Sequence, residues 1–128
     1  MFAEGPKVIG LGVDMVDIER FRRVLARRAK VADRLFTEAE LSFVAGRSDP
    51  VPGLAARFAA KEATMKALGT GVGGVRFCDI EVLSAPSGAP RLRVRGLAEE
   101  KARTLGVVSW HVSLTHSESL AAAVVVAD

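Results

Sequence analysis

The sequence predicts a single α+β domain in which helices pack on a mainly antiparallel sheet. Its 128 residues are enough for one hydrophobic core and fall near the usual size of a domain, so we expect one unit over residues 1–128. Segments with helical spacing of apolar residues are interspersed with short runs typical of strands. Some of these runs flank tight turns, which favours hairpins and therefore antiparallel pairing.

The first half of the chain is predicted to be mainly helical. Residues 7–13 form a short, almost wholly apolar run, which is typical of a strand covered on both faces. A helix is expected from about Asp17, and Thr37 with Glu40 has the pattern of a capping box that opens a short helix through Phe43. Residues 46–53 contain two prolines and are predicted to form a loop. Residues 54–68 have good helix formers and no glycine or proline, so the next helix is expected there.

The second half is predicted to be mainly strand. Residues 77–83 and 91–95 flank a turn at 86–90, which favours a hairpin. Residues 96–106 have the spacing of a short amphipathic helix. Two further strands are expected at 107–114 and 120–127, joined through a turn that begins at Thr115 and contains His116.

The composition is typical of a globular chain that works in a reducing compartment. Hydrophobic residues make up 49% and charged residues 26%, and no apolar run approaches the length of a membrane span. The single cysteine, Cys78, excludes a framework of internal disulfides. The first seven residues lack the apolar core of a signal peptide. We therefore expect a cytoplasmic protein that makes no use of a membrane.

Positive charge is concentrated in one stretch of the sequence. The net charge is only +3, yet residues 20–34 contain Arg20, Arg22, Arg23, Arg27, Arg28, Lys30 and Arg34. Such a cluster predicts an acidic partner, either nucleic acid, an anionic membrane surface or an acidic protein. The alternative is a solvated helix face. The excess of arginine favours recognition, because the guanidinium group binds carboxylates and phosphates in a bidentate manner.

Two carboxylates stand beside predicted apolar surface. At about 100° per residue, Glu62 falls on the shoulder of the apolar stripe of its helix, where a half-buried charge needs a compensating cation. Lys66, four residues on, is one candidate and a bound metal ion is another. Asp14 follows the first strand and is either a helix cap or a ligand at the end of that strand. Together, Asp14 and Glu62 predict a two-carboxylate magnesium site, which substrate phosphates and waters would complete.

Cations surround this predicted metal site. Arg57, Lys61 and Lys66 lie on the same helix as Glu62, as a site for a metal ion and a diphosphate would need. The glycine-rich turn at residues 69–74 matches no P-loop spacing and is interpreted as the end of that helix. His111 is interpreted as structural, whereas His116 beside Thr115 suits a phosphate or a ribose. No nucleophilic triad is apparent, so we expect phosphoryl transfer rather than covalent catalysis.

Two motifs are conspicuous in the sequence. The first is Gly12-Val13-Asp14-Met15 after the apolar strand, and the second is the pattern FxxKEAxxK from Phe58 to Lys66. Together they resemble the paired signature of the 4'-phosphopantetheinyl transferases, in particular that of the short bacterial holo-(acyl-carrier-protein) synthases. The resemblance covers nearly the whole chain, with segments at 9–21, 57–73, 79–82, 112–116 and 121–124. Residues 47–53 match no part of the signature, and only Phe2 offers an aromatic side chain early in the first strand.

The resemblance implies a role for each candidate residue. Asp14 and Glu62 would bind Mg²⁺, which bridges to the diphosphate of coenzyme A, and both would be catalytic together with Lys66. The phosphates and the nucleotide end of coenzyme A would be held by Arg57, Lys61, Lys66, Thr115 and His116. An acidic helix of the acyl carrier protein would dock on Arg20, Arg27 and Lys30. The chain would form a homotrimer with sites between subunits.

The resemblance further implies that a carrier serine attacks the β-phosphate of coenzyme A and that adenosine 3',5'-bisphosphate leaves. The base stays open between Glu62, acting directly or through a metal-bound water, and a water held by another carboxylate. Two other functions are kept as alternatives. A nucleic-acid-binding module would use the basic helix, although the chain has no tyrosine and one tryptophan for base stacking. A different magnesium-dependent phosphohydrolase would admit water as the nucleophile.

Overall fold

The computed structural model describes residues 8–71 and 74–128, and the described residues form two antiparallel sheets and five α-helices. The strands are β1 (Gly10–Asp17), β2 (Ile80–Ser84), β3 (Pro90–Val94), β4 (Trp110–His116) and β5 (Leu120–Ala127). The helices are α1 (Ile18–Arg27), α2 (Val31–Leu35), α3 (Glu38–Ala45), α4 (Val51–Ala67) and α5 (Gly96–Leu105). The expectations for Phe2, for Lys7 and for residues 72–73 lie outside the described residues.

The sheets confirm the predicted α+β class with antiparallel pairing. One sheet has the strand order β1-β5-β4, and the other is the hairpin β2-β3. Helix α4 packs on the three-stranded sheet and is buried along most of its length. Among the described residues, no helix has both the length and the apolar character needed to cross a membrane.

Helix α4 approaches β1 at backbone contact distance. A Cβ atom at Gly12 would lie 1.8 Å from the carbonyl oxygen of Ala63, and one at Gly10 would lie 1.8 Å from that of Ala67. Only glycine fits such a contact, because any side chain would drive the strand and the helix apart. Small residues on both elements therefore set the distance between β1 and α4.

Strand β1 is longer than predicted and has one open face. It continues to Asp17 because β5 pairs with it along its whole length, from Gly10 opposite Ala127 to Asp17 opposite Leu120. Within one subunit the prediction that this strand is covered on both faces is wrong, since Leu11, Val13 and Met15 are exposed. Strand alternation instead turns Gly12 and Asp14 toward α4.

The long helix begins earlier than predicted. Residues 51–53 belong to α4, with Pro50 at the N-cap and Pro52 in the first turn. Proline is tolerated there because the first backbone N–H groups of a helix have no partner within the helix. The capping box is confirmed, since Thr37 Oγ1 accepts from the backbone of Glu40 and the Glu40 side chain accepts from the backbone of Thr37. The short helix α2 was not predicted.

Two boundaries in the second half also differ from the predictions. Residues 77–79 form a 3₁₀ turn, Phe77–Asp79, before β2 begins at Ile80. Strand β4 runs from Trp110 to His116, so Thr115 and His116 belong to the strand rather than to the turn. Helix α5 and strand β5 lie where the sequence predicts them.

Candidate functional site

The structure brings Asp14 and Glu62 together. Asp14 lies in the middle of β1, on the face turned toward α4, and Glu62 precedes Ala63, whose carbonyl oxygen faces Gly12. The pKa of Glu62 is raised, mainly because the carboxyl group is partly buried and also because the negative charge of Asp14 is close. Asp14 is not a helix cap, since Asp17 caps α1 by accepting from the backbone N–H of Arg20 at 2.9 Å.

Lys66 contacts Asp14 rather than Glu62. Its ammonium group donates to Oδ1 of Asp14 at 3.1 Å and to the carbonyl oxygen of Val13 at 2.9 Å. The Lys66 side chain is 54% exposed and that of Asp14 is 13% exposed. Two adjacent carboxylates with one ammonium group leave a net negative charge at this point. The site therefore has the charge to take a further cation.

The donor set of this site fits Mg²⁺. Among the described residues, no three His, Cys, Asp or Glu side chains come together as a metal cage. Magnesium does not need one, because it typically takes one or two carboxylates and completes its octahedron with waters and substrate phosphates. Two carboxylate oxygens beside open space are such a set. Asp14 and Glu62 are thus the residues that would hold the ion.

A groove of about 760 Å³ lies beside the two carboxylates. Asp14, Glu62 and Arg20 line it together with three aromatic rings, and sequence reasoning missed the rings as a unit. The ring of Phe58 stacks on Phe21, with centroids 5.1 Å apart, and on Phe77, with centroids 5.5 Å apart. The groove thus combines apolar walls with carboxylates and a guanidinium group. It suits an elongated ligand that has both a phosphate and a less polar arm.

Lys61 does not lie where a phosphate ligand would. Its side chain is fully buried and donates to Oε1 of Glu40 at 2.7 Å, to the carbonyl oxygen of Phe77 at 3.1 Å and to that of Ile80. Burial lowers the pKa of Lys61, and the charge of Glu40 opposes that shift. The expectation that Lys61 binds coenzyme A is corrected by this geometry, because all three ammonium hydrogens already have acceptors within the protein.

Arg57 is also buried and does not line the groove. It is 6% exposed, donates to the carbonyl oxygen of Gly53 at 3.2 Å and stacks over the ring of Phe43 at 4.5 Å. Its Nε atom is buried and has no hydrogen-bond partner among the described residues. Burial lowers the pKa of Arg57, so an anion near the guanidinium group would be favourable.

The remaining predicted residues lie at exposed positions around the chain. Thr115 and His116 are exposed at the end of β4, and neither lines the groove. Thr115 pairs with Ala122, which places it on the face of the sheet opposite to Asp14. Arg27 ends α1 and Lys30 follows it, both exposed, whereas Arg20 lies at the groove. His111 is largely exposed, and its Nε2 atom lies 3.6 Å from Oδ2 of Asp128.

Comparison with known proteins identifies the family of this chain. A model of the 4'-phosphopantetheinyl transferase superfamily matches residues 10–125. The holo-(acyl-carrier-protein) synthase of Streptomyces avermitilis is 52% identical over 121 residues, which cover 94% of this chain and 98% of that protein.

Solved structures of the same enzyme are similar in fold. The synthase of Neisseria meningitidis has a TM-score of 0.86 and 32% identity, and the match covers 95% of this chain and 99% of that one. The synthase of Helicobacter pylori, solved in complex with coenzyme A, has a TM-score of 0.81 and 30% identity, with 92% and 99% covered. On the family match and the curated relatives, this chain belongs to the 4'-phosphopantetheinyl transferase superfamily.

Proposed function

We propose that this chain transfers the 4'-phosphopantetheine group of coenzyme A to a serine of apo acyl carrier protein. The observation that carries the proposal is the approach of Asp14 and Glu62 beside the aromatic groove, in a chain of this family. Coenzyme A has a diphosphate that links a nucleotide to a long, weakly polar arm, and a diphosphate with such an arm matches the chemistry of the groove. Relatives named as holo-(acyl-carrier-protein) synthases support the same reaction.

The side chains of the site would position the reactants and neutralise charge, and none of them would form a covalent bond to the substrate. The carrier serine oxygen bonds to the β-phosphorus, the bond from phosphorus to the bridging oxygen breaks, and adenosine 3',5'-bisphosphate leaves. Bound Mg²⁺ would neutralise the charge that develops on the diphosphate oxygens. Asp14 and Glu62 would hold it, and the exposed Lys66 ammonium would contact a phosphate. The apolar ring surfaces of Phe21, Phe58 and Phe77 would hold the pantetheine arm. The serine proton is assigned to no base.

A transfer assay tests the proposal directly. Apo acyl carrier protein incubated with this chain, coenzyme A and Mg²⁺ should gain the mass of one phosphopantetheine, measured by mass spectrometry. Carriers of fatty-acid, polyketide and peptide-synthesis type should be compared, and Mn²⁺ should be tried because it suits the same oxygen ligands. Coenzyme A consumed with no gain of mass on any carrier would contradict the proposal and favour a phosphohydrolase.

We also keep the cytoplasm as the proposed location, since the one free thiol suits a reducing compartment.

The carrier protein is proposed to dock on the exposed basic side chains of α1 and the segment that follows it. Arg20, Arg27 and Lys30 are exposed, and none of the three forms an ion pair with a described residue. We expect Arg27→Glu to raise the KM for the carrier about 10-fold with kcat almost unchanged, because a surface charge acts on encounter rather than on the reacting atoms. Steady-state kinetics at low and high salt should measure this, and raised salt should weaken wild-type docking.

The control for that variant is Lys101→Glu, which makes the same change of charge on the exposed face of α5. It should leave the KM for the carrier within about two-fold of wild type, since it alters only the overall charge. Equal effects of the two substitutions would show that net charge matters and that α1 is not the docking surface.

A homotrimer with sites between subunits completes the proposal. Two observations support it. The open face of the three-stranded sheet is apolar along β1 and β5, with Leu11, Val13 and Met15 of β1 about 60% exposed beside Val124 of β5, and monomers rarely expose such a patch. Thr115 lies on that open face, away from Asp14, so a ligand that contacts both residues, as proposed for coenzyme A, would take them from two subunits.

Charge placed on the open face should therefore dissociate the assembly. We expect wild type to sediment as a trimer and Val124→Glu to sediment as a monomer that has lost transfer activity, because an ionised carboxylate cannot be buried there without a partner. Analytical ultracentrifugation measures the mass. Val108→Glu is the control, because Val108 is 89% exposed and precedes β4. A wild-type monomer with full activity would contradict the trimer.

A further inference from the structure

Lys61 and Glu40 form a fully buried ion pair whose role the proposed chemistry does not explain. Both side chains are 0% exposed, and neither lines the groove. The Lys61 ammonium donates to Oε1 of Glu40 at 2.7 Å and to the carbonyl oxygens of Phe77 and Ile80. Its three hydrogens thus hold α4 to α3, to the 3₁₀ turn and to the start of β2.

Glu40 has an equally complete set of partners. Its Oε1 atom also accepts from the backbone N–H of Thr37 at 2.9 Å, and its Oε2 atom accepts from that of Val82 at 2.9 Å. The pair therefore joins three parts of the chain that are remote in sequence, namely α3, α4 and the segment from the 3₁₀ turn into β2. Each hydrogen bond has a defined direction, so the pair fixes orientation as well as distance.

Stability is a poor explanation for this pair. Removing two charges from water is costly, and well-packed apolar residues of similar volume in the same place often give equal or greater stability. The pair differs from an apolar contact in its geometry, because each side chain has only one arrangement that satisfies all of its partners. The role of the pair should therefore be to orient a feature of the molecule, such as another side chain, that must point in one direction.

Glu62 is such a feature. It follows Lys61 directly, so the two side chains leave α4 about 100° apart, one toward β2 and the other toward Asp14 on β1. If Lys61 is anchored, α4 cannot rotate about its axis without breaking the hydrogen bonds to Glu40, Phe77 and Ile80. Phe77, held through its carbonyl oxygen, also stacks on Phe58 in the wall of the groove.

We propose that Lys61 and Glu40 are positioning residues, which hold the Glu62 carboxylate toward Asp14 and fix Phe77 in the wall of the groove. Neither side chain touches the ligand. The inference deepens the proposed function and rests on it, because it assigns the pair to the orientation of a metal-binding carboxylate.

The test compares metal binding with folding. We expect Lys61→Met to weaken binding of Mn²⁺, measured by the free-ion signal in electron paramagnetic resonance without substrate, by about 10-fold or more. In the transfer assay kcat should fall by a similar factor, whereas the KM for the carrier should stay within about two-fold because docking on α1 is unaffected. All measurements are made at a temperature at which circular dichroism shows the variant to be folded.

Val44→Ala is the matched control. Val44 is buried on α3, the helix that carries Glu40, but it neither lines the groove nor contributes a side-chain hydrogen bond to the ion pair. This variant should lose stability and keep the wild-type affinity for Mn²⁺. If Lys61→Met also keeps that affinity, the pair is only structural and the inference is wrong.

A second variant covers the case in which Glu40, left without its partner, prevents folding. Glu40→Gln/Lys61→Met removes both charges and should fold, again with Mn²⁺ affinity reduced about 10-fold. If both variants fail to fold, the inference is overturned, because the pair then supports the whole domain. If the wild type binds no Mn²⁺ and transfers no phosphopantetheine, the proposed function itself is wrong. If the wild type does both and the folded variants bind Mn²⁺ as tightly as the wild type, the proposed function stands and only the positioning role is refuted.

Discussion

Replacing Glu62 by glutamine is expected to lower the rate of phosphopantetheine transfer by about 1,000-fold, equivalent to about 4 kcal/mol, while the fold stays intact. The reason is that a neutral amide is a poor ligand for magnesium and leaves Asp14 as the only carboxylate at the site. The initial rate should be measured by mass spectrometry of the carrier at saturating coenzyme A and Mg²⁺.

Glu100→Gln is the control for this substitution. It makes the same chemical change on the exposed face of α5, where the Glu100 side chain forms no ion pair with a described residue. Its transfer rate should equal that of wild type. If Glu62→Gln were fully active as well, Glu62 would no longer be a candidate for the metal site.

The same substitution should raise the stability of the metal-free protein at neutral pH. The pKa of Glu62 in the folded chain is raised above its unfolded value, chiefly by burial and then by the charge of Asp14. The stability that the neutral carboxyl group contributes is therefore fully present below the unfolded pKa and is lost as pH rises through the folded pKa. At neutral pH, Glu62→Gln removes this unfavourable charge. Because the charge is partly solvated, the gain in stability should be small.

We expect the Tm of Glu62→Gln in the presence of a chelator to exceed that of wild type by about 2 °C at neutral pH, for a relief of about 0.5 kcal/mol. The difference should shrink as the pH falls toward the unfolded pKa of a glutamate, where both side chains are neutral. Calorimetry across that range measures it. A lower Tm for the variant at neutral pH would mean that the charged carboxylate stabilises the metal-free fold.

The sequence singles out Asp14 and Glu62, which the structure brings together, because the local pattern around each residue is sufficient to mark it. Helical spacing places Glu62 at the edge of an apolar face, and an acidic residue in an apolar strand stands out even when the end of the strand is misplaced. The capping box at Thr37 and Glu40 is similarly local, and its prediction is confirmed. What the box does not reveal is that the Glu40 side chain also accepts from Lys61 and Val82.

The sequence predictions are wrong where contacts between distant segments decide the structure. Helical spacing gives the direction of Lys61 around α4, but only the tertiary fold shows that β2 and Glu40 cover that direction. The pairing of β5 with β1 extends the first strand past Asp14, and nothing in residues 7–17 alone indicates this. The open face of the sheet was missed for the same reason, since an apolar run has the same sequence whether one face is covered or both.

The approach of β1 to α4 yields the prediction with the largest effect on stability. Gly12→Ala would place a methyl carbon 1.8 Å from the carbonyl oxygen of Ala63, a backbone atom that cannot turn away. We expect a loss of about 3 kcal/mol in the free energy of unfolding, or about 10 °C in Tm. Thermal unfolding followed by circular dichroism measures the loss.

Gly46→Ala is the matched control, because a methyl group at Gly46 would have no atom within 4 Å and the φ of −83° at this residue suits alanine. Its Tm should stay near that of wild type, which separates the contact from the general effect of replacing a glycine. Asp14 lies two residues from Gly12, and Glu62 precedes Ala63, so a methyl group that separates β1 from α4 also separates the carboxylates. Folded Gly12→Ala should therefore bind Mn²⁺ more weakly than Gly46→Ala. Equal stability and equal metal affinity in the two variants would show that the backbone contact does not set the distance between Asp14 and Glu62.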